Sequence, residues 1–438
     1  MKINNKVCFI IGLLFPAMLF AQNNNSTTSP YSRFGLGDLQ TRSFGRTFAM
    51  GGASLGSRNS LQINMANPAS YTVVDSLAFL FEFGLNGKLS SYRTNTTKMT
   101  ANDVNFRYLS MGFRITDRLA ASLGLTPYSD VGYDIRINNY LENTGNYGIR
   151  YFGDGSLTRS YIGFAINPFK NISVGANLNY LFGNISNNAE LYFDALTDDW
   201  YNNDFYNTRK NEYIRVSQFG FDFGLQATIP LVKNQSITLG AVLENKPEYA
   251  AYRSDMMLKN LTVIPNPDDP EPKSDQDTLK YNGEEKGSIR FPFTYGIGVS
   301  YVKTDVLELN LDYYHQSWSE ATFFGSINPV LTDLNKFAVG AEWIPNKNSI
   351  RSYSQRIAYR AGFKYEESYL KLNGRQINDF GISFGIGLPI SRSYSTINVA
   401  AEIGKRGTRN ADLISERYVK LNLNVNLHDI WFLQTRYD

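Results

Sequence analysis

The strongest constraint on this chain is a two-residue rhythm of apolar and polar side chains. It recurs, with breaks, from about residue 76 to the end. The last instance is the cleanest: Val419, Leu421, Leu423, Val425 and Leu427 are apolar, and Lys420, Asn422, Asn424 and Asn426 lie between them. Successive side chains of a strand point to opposite faces, so this segment has one oily and one wet face. Phe219, Phe221, Phe223, Leu225, Ala227 and Ile229 alternate in the same way with Gly220, Asp222, Gly224, Gln226 and Thr228. So do Phe380 to Leu388 against Asp379, Gly381, Ser383, Gly385 and Gly387.

The rhythm predicts strands near 76–96, 104–115, 118–140, 156–167, 171–194, 212–229, 236–257, 288–302, 305–320, 335–345, 355–368, 374–390, 394–405 and 415–428. That is fourteen, an even number, as bacterial single-chain membrane barrels require. Mean hydropathy of −0.31 is too polar for a bundle of membrane helices. No stretch after residue 21 approaches the roughly 20 apolar residues of a spanning helix. Plentiful aromatics and the lack of a short period exclude collagen, coiled coil and wholesale disorder. A polar average inside lipid suits strands that are apolar only at alternate positions, so the expected fold is all-β, a 14-stranded antiparallel transmembrane β-barrel. In hydrocarbon every backbone amide must be paired, and only a closed sheet leaves no free edge.

The connections support closure. Thr116-Asp117, 167–170, 230–235, Lys303-Thr304, 345–353 and 391–393 are mostly short, while 195–211 and 258–287 are long and rich in Asn, Asp and Tyr. A soluble two-sheet sandwich also alternates, but it explains neither this long and short rhythm nor the export signal. Tyr301, Tyr313, Tyr314, Trp318, Trp343 and Trp431 gather near strand ends, where amphipathic rings meet the water–lipid boundary. The inward set carries both signs: Glu82, Lys88, Arg114, Asp222, Glu244, Glu308, Asp312, Lys336, Glu342, Arg360, Lys364, Glu366, Glu402 and Lys420. Most of these are expected to pair within the bore.

Residues 1–21 read as a signal peptide: Lys2 and Lys6 precede an apolar run from Val7 to Phe20 that is broken by Pro16, with Ala21 before the cleavage point. Cys8, the single cysteine, lies inside it, so the mature chain has no disulfide, thiol chemistry or Cys-ligated metal. Without Lys2 and Lys6, 41 of the 43 basic residues remain against 40 acidic ones, which gives no basis for nucleic-acid binding.

Residues 22–75 do not alternate. They hold Gly35, Gly37, Gly45, Gly51, Gly52 and Gly56, then Met65 to Tyr71. Fourteen strands enclose more space than the roughly eight-strand barrel that side chains alone fill. The expected domains are therefore a plug or hatch at 22–75 inside a barrel at 76–438. A disordered tail suits 22–30 but not 44–72.

Ala49-Met50-Gly51-Gly52-Ala53, followed by Asn67-Pro68-Ala69 just before the first strand, resembles the FadL-type outer-membrane transporters. The stretch from Ser29 to Asp38 is also similar to a FadL-like branch. The resemblance implies an N-terminal hatch carrying the Asn67, Pro68, Ala69 motif and passive uptake of hydrophobic compounds such as long-chain fatty acids, without TonB-type energy input. It implies lateral exit through a gap at a kink in the third strand. Here that strand carries Pro127, which cannot donate a ladder hydrogen bond, and Gly132, which weakens it further. Lys88, Arg107 and Arg114 are the candidate lumenal contacts for a carboxylate head group. The implied partners are outer-membrane lipid and lipopolysaccharide, a hydrophobic small-molecule ligand and other outer-membrane proteins. The implied location is the outer membrane of a Gram-negative-type bacterium, spanned many times. No cofactor is expected.

Two departures and two competitors accompany that reading. The family's long apolar external helix pair is missing; instead Asp268 to Glu285 is acidic and Pro-rich. A non-transporting role as a subunit or adaptor of a protein-secretion or barrel-assembly complex competes with uptake, and a general porin is a third option. Catalysis is not expected. His315 shares a strand face with Ser317 and Ser319 without forming a triad, and His428 sits at the last turn. The acidic loop lacks EF-hand spacing, so no metal site is assigned.

Overall fold

The computed structural model describes residues 27–142, 145–193, 207–262, 274–391 and 393–430. The expected signal peptide, residues 263–273 of the acidic loop and Trp431 lie outside the described residues.

Fourteen strands form one antiparallel sheet closed on itself. They are β1 (Ala78–Arg93), β2 (Lys98–Arg114), β3 (Leu119–Leu141), β4 (Gly145–Phe169), β5 (Ile172–Phe193), β6 (Asn207–Pro230) and β7 (Gln235–Glu244 continued by Glu248–Thr262). They continue as β8 (Ser274–Arg290 continued by Thr294–Lys303), β9 (Leu307–Gln316), β10 (Leu334–Trp343), β11 (Ala358–Leu372), β12 (Arg375–Pro389), β13 (Thr396–Arg406) and β14 (Ser415–Ile430). The ring closes where β14 pairs with β1, from Ser415 with Arg93 to Ile430 with Ala78.

Exposure is inverted relative to a soluble sheet. On β14, Leu421 is 52% exposed while Asn424 is fully buried. Phe219, Phe221, Phe223 and Leu225 lie outside and Asp222 and Gln226 inside. The apolar face has no protein partner because lipid is its partner, which makes the barrel a membrane-spanning one.

Strand length separates two halves. β9 and β10 have ten residues each, close to what crosses a bilayer. β4, β5 and β6 have 25, 22 and 24, so they project well beyond it. Alternation placed the start of β4 near 156 and that of β6 near 212, and it read 258–287 as loop; the strands extend to Gly145, Asn207 and Thr262 and resume at Ser274. The reason is physical: above the membrane both faces are wet, so no apolar rhythm marks the strand. Cross-strand charges hold it instead. Arg150 lies 2.8 Å from Asp134 and 3.9 Å from Glu190, Glu190 is 2.9 Å from Arg209, and Arg253 is 2.6 Å from Glu285.

β7 and β8 both break at one height, at residues 245–247 and 291–293, where Pro247 and Pro292 lack ladder donors. Phe291 turns inward there, 4.4 Å from the Tyr249 ring and 6.1 Å from that of Trp318. With Tyr31, Leu36, Trp318, Tyr369 and Leu370 it forms a buried apolar layer that fills the bore toward the long-strand end.

Candidate functional site

Residues 27–77 pack against the inner wall. Their docking begins with the backbone. Asn67 is fully buried and caps the short 3-10 helix Pro68–Val73; its side chain accepts from Ala69 N (3.1 Å) and donates to Leu55 O (2.8 Å). The wall opposite is glycine because nothing larger fits: a Cβ on Gly175 would sit 2.5 Å from the Pro68 carbonyl carbon. Gly240 lies as tightly against Leu55, and Gly340 and Gly362 against Met50 and Gly51.

Charge then ties the segment to the strands. Arg42 reaches Asp222 (2.9 Å) on β6 and Glu244 (2.6 Å) on β7. Arg46 bridges Glu308 on β9 and Glu342 on β10, the latter at 2.7 Å, and Arg360 holds the same Glu342 at 2.6 Å. Asp312 on β9 accepts the Leu55 backbone N–H at 2.8 Å. Arg360 belongs to the inward set read from sequence, but Arg42 and Arg46 were not singled out there. The signal that points to them is the inward set itself, whose carboxylates outnumber its cations, so the segment inside must supply the balance.

The wall is incomplete at one place. β2 and β3 pair only over six residue pairs, from Arg114 with Ala120 to Leu109 with Leu125. Above that the two edges separate, although each stays paired on its far side, with β1 and β4. Both strands carry a bulge just there: the β1–β2 register skips Arg107, and the β3–β4 register skips Tyr128, next to Pro127. A bulge bends its strand and ends regular pairing. Outside, Phe106 and Val104 are 55% and 73% exposed.

The N-terminal segment occupies this seam. Asp38 and Leu39 pair as a two-residue strand with Asp130 and Ser129. Gln40 N donates to Tyr128 O (2.9 Å) and Ser29 N to Gly132 O (2.8 Å). The Gln40 side chain donates to Asp130 (2.7 Å) and accepts from Arg107. Asp38 is anchored on the other side by Arg406 at 2.7 Å. Burial pushes the Asp38 carboxyl up, but Arg406 and Lys88 overcome this and hold it below its ordinary value.

Three cavities meet here. One of about 130 Å³ lies in the seam, lined by Phe106, Arg107, Leu125 and Pro127 among others. It shares Thr126 and Pro127 with a lumenal cavity of about 110 Å³ beside Leu39, Tyr128 and Tyr314. It shares Arg107 and Asp130 with a charged chamber of about 90 Å³.

Of the three candidate cations, the structure brings two together. Lys88 and Arg107 line the charged chamber, where Lys88 contacts Glu416 at 2.6 Å and Arg107 lies 3.8 Å from Asp130. Arg114 is elsewhere, at the β2–β3 turn, donating to the carbonyls of Thr116 (3.2 Å) and Val74 (3.3 Å). His315 bonds Asn335 (2.8 Å) and Ser317 (3.3 Å), and His428 lies 3.7 Å from Asp75.

A family model, BamG, matches residues 3–438. The chain belongs to the BamG family. No curated protein sequence matches it. Among solved structures, this BamG-family chain is similar to the CymD monoaromatic hydrocarbon channel, with 15% identity, 90% of this chain and 100% of that one covered, and a TM-score of 0.54. The Ralstonia pickettii toluene transporter TbuX has 14% identity, covers 89% and 99%, and scores 0.55. A Pseudomonas aeruginosa FadL homologue has 10% identity, covers 90% and 99%, and scores 0.54. At such identities the likeness is one of fold, and the fold is the FadL-type barrel.

Proposed function

We propose that this protein is an outer-membrane barrel of a Gram-negative-type bacterium that lets small hydrophobic molecules pass sideways, through the β2–β3 seam, into the bilayer. Residues 22–75 act as its plug, and the stretch from Ser29 to Gln40 acts as the clasp of the seam. The observation that carries this reading is the ladder's end at Leu109 and Leu125, with a cavity in the gap and apolar side chains at its outer mouth.

Size selects among ligands. A dry cavity of about 150 Å³ accepts benzene. The lumenal and seam cavities, about 110 and 130 Å³, are close to that and far from a long acyl chain. A fatty acid fits only if the clasp leaves, and its tail would contribute roughly 0.8 kcal/mol per buried CH₂ toward that cost. The named activities of the CymD and TbuX structures, monoaromatic hydrocarbon and toluene, suit the smaller class.

The test is a reversible tether. Leu39 and Ser129 are ladder partners, and such Cα pairs fall within disulfide reach. The single cysteine, Cys8, lies in the expected signal peptide, so Leu39→Cys with Ser129→Cys forms one bond in the processed chain. Toluene uptake into proteoliposomes should stop on oxidation and return on reduction; equal uptake in both states rejects the seam as the route.

A second reading, a subunit of a larger outer-membrane protein complex, is favoured by the BamG-family match and by a bore whose charges are largely engaged with the plug. Mild-detergent pull-down from native membranes discriminates the two: stoichiometric outer-membrane partners support the subunit, a lone barrel supports the transporter.

A further inference from the structure

The bore is filled at its long-strand end and open at the other. Between the lower surface of the N-terminal segment and the short turns lies a vestibule of about 820 Å³, within the size range of true ligand pockets. Its lining holds six cationic side chains and three carboxylates. All three carboxylates are engaged: Asp305 by Lys347 at 2.6 Å, Glu308 by Arg46, and Glu342 by Arg46 and Arg360. Arg58, Lys303 and Arg356 remain without an ion-pair partner among the described residues. That local excess of three is larger than the formal +1 left when Lys2 and Lys6 are set aside with the expected signal peptide (41 basic against 40 acidic residues).

Arg58 sits where the segment meets the wall and donates only to neutral acceptors: Ser173 (2.8 Å), Gln226 (2.9 Å) and Thr72 (2.9 Å). Burial draws its guanidinium down to about 10, and no carboxylate opposes the shift. Arg356 Nε is buried without a hydrogen-bond partner among the described residues. A cleft with an excess of one sign and low-dielectric walls focuses its field on whatever enters.

We propose that this vestibule binds an acidic polypeptide segment of a partner protein, inserted from the short-turn side. The volume is far larger than a single anion needs. The wall between the cations carries amides, including Asn59, Gln62, Asn398 and Asn426, beside aliphatic side chains such as Val302 and Ile344, a mixture that suits a peptide with its backbone amides and apolar carbons. The site opens into the bore rather than to the bilayer, which excludes a lipid head group held in its leaflet. This inference is independent of the seam: a chain that transports nothing still carries the vestibule.

The experiment uses the whole barrel in detergent and a fluorescein-labelled hexapeptide of Asp and Glu, read by anisotropy, with the Asn and Gln analogue as comparison. The acidic peptide should bind, the analogue should not, and Arg58→Gln/Lys303→Gln/Arg356→Gln should weaken binding at least about tenfold. Arg136→Gln/Lys371→Gln/Arg375→Gln removes the same charge at the long-strand end and should leave binding unchanged. Equal weakening in both variants, no binding to the parent, or displacement by inorganic phosphate at the peptide's own concentration would overturn the proposal. If the triple variant loses the heat-modifiable gel migration of a folded barrel, Lys303→Gln alone, on an exposed strand end, must weaken binding and flatten its salt dependence; an unaltered salt slope rejects the site.

Discussion

Arg107 on β2 and Tyr128 on β3 are the two bulged residues at the top of the shared ladder, one on each lip of the seam, and Gln40 contacts both. The wall is therefore continuous at this height only through a residue of the N-terminal segment.

Gln40→Ala removes the side-chain bonds to Arg107 and Asp130 while keeping the backbone bond to Tyr128. Hydrogen bonds to charged groups contribute about 1.5–3 kcal/mol each in net terms. Amide exchange at Asp38 and at position 40, whose N–H donates to Tyr128 O, should accelerate by about tenfold or more, since 1.4 kcal/mol is a factor of ten. Exchange at β12 and β13 should not change. Uniform acceleration, or none, contradicts the clasp.

Arg46→Ala leaves Glu308 and Glu342 buried with their main cation gone, although Arg360 still holds one of them. Breaking a buried ion pair costs about 3–5 kcal/mol. The temperature at which the folded form disappears on semi-native gels should fall clearly. Arg46→Ala/Glu308→Ala should recover part of the loss, because the stranded charge is then removed as well.

Gly362→Ala places a methyl group against the Met50 and Gly51 backbone, whereas at Gly87 the nearest atom is 3.9 Å away. Overpacking costs about 1–3 kcal/mol. Limited trypsin digestion should cut the N-terminal segment at Arg42 or Arg46 in Gly362→Ala and spare it in Gly87→Ala. Equal protection of both would show that the backbone contact is looser than the geometry indicates.

The seam should weaken in acid. The Asp38 carboxyl is held below its ordinary value, so its stabilising effect is present above the unfolded value, about 3.9, and is lost as pH falls through the lower folded value. Exchange at Asp38 and Gln40, followed from pH 6 down to pH 3, should rise relative to β13. In Arg406→Gln the carboxyl loses its main partner, and the onset should move to higher pH. A flat profile in the parent removes Asp38 from the clasp's energetics.

Within the membrane the fold was legible because lipid forces one face of each strand to be apolar. Phe219 to Ile229 and Val419 to Leu427 announce their strands residue by residue. Where the strands leave the bilayer that pressure stops, and Gly145–Phe152 and 274–287 gave no rhythm although both are strand. Pro127 was visible as a missing donor. Its counterpart Arg107 was not, since a bulge is a matter of register between two strands, and register is invisible in either strand alone. Arg42 and Arg46 were equally hidden: their partners lie roughly two to three hundred positions away, on strands whose neighbours are set only on closure.

The amino-acid order alone determined that this chain closes into a cylinder with its oily side outward, because period-two hydropathy and the need to pair every amide in hydrocarbon allow little else. Only the tertiary structure decided where the cylinder fails to close, which residues bridge the failure, and that unpaired positive charge collects at the short-turn end. Those are relations between segments far apart in sequence, set by the packing of one inserted segment against fourteen strands at once.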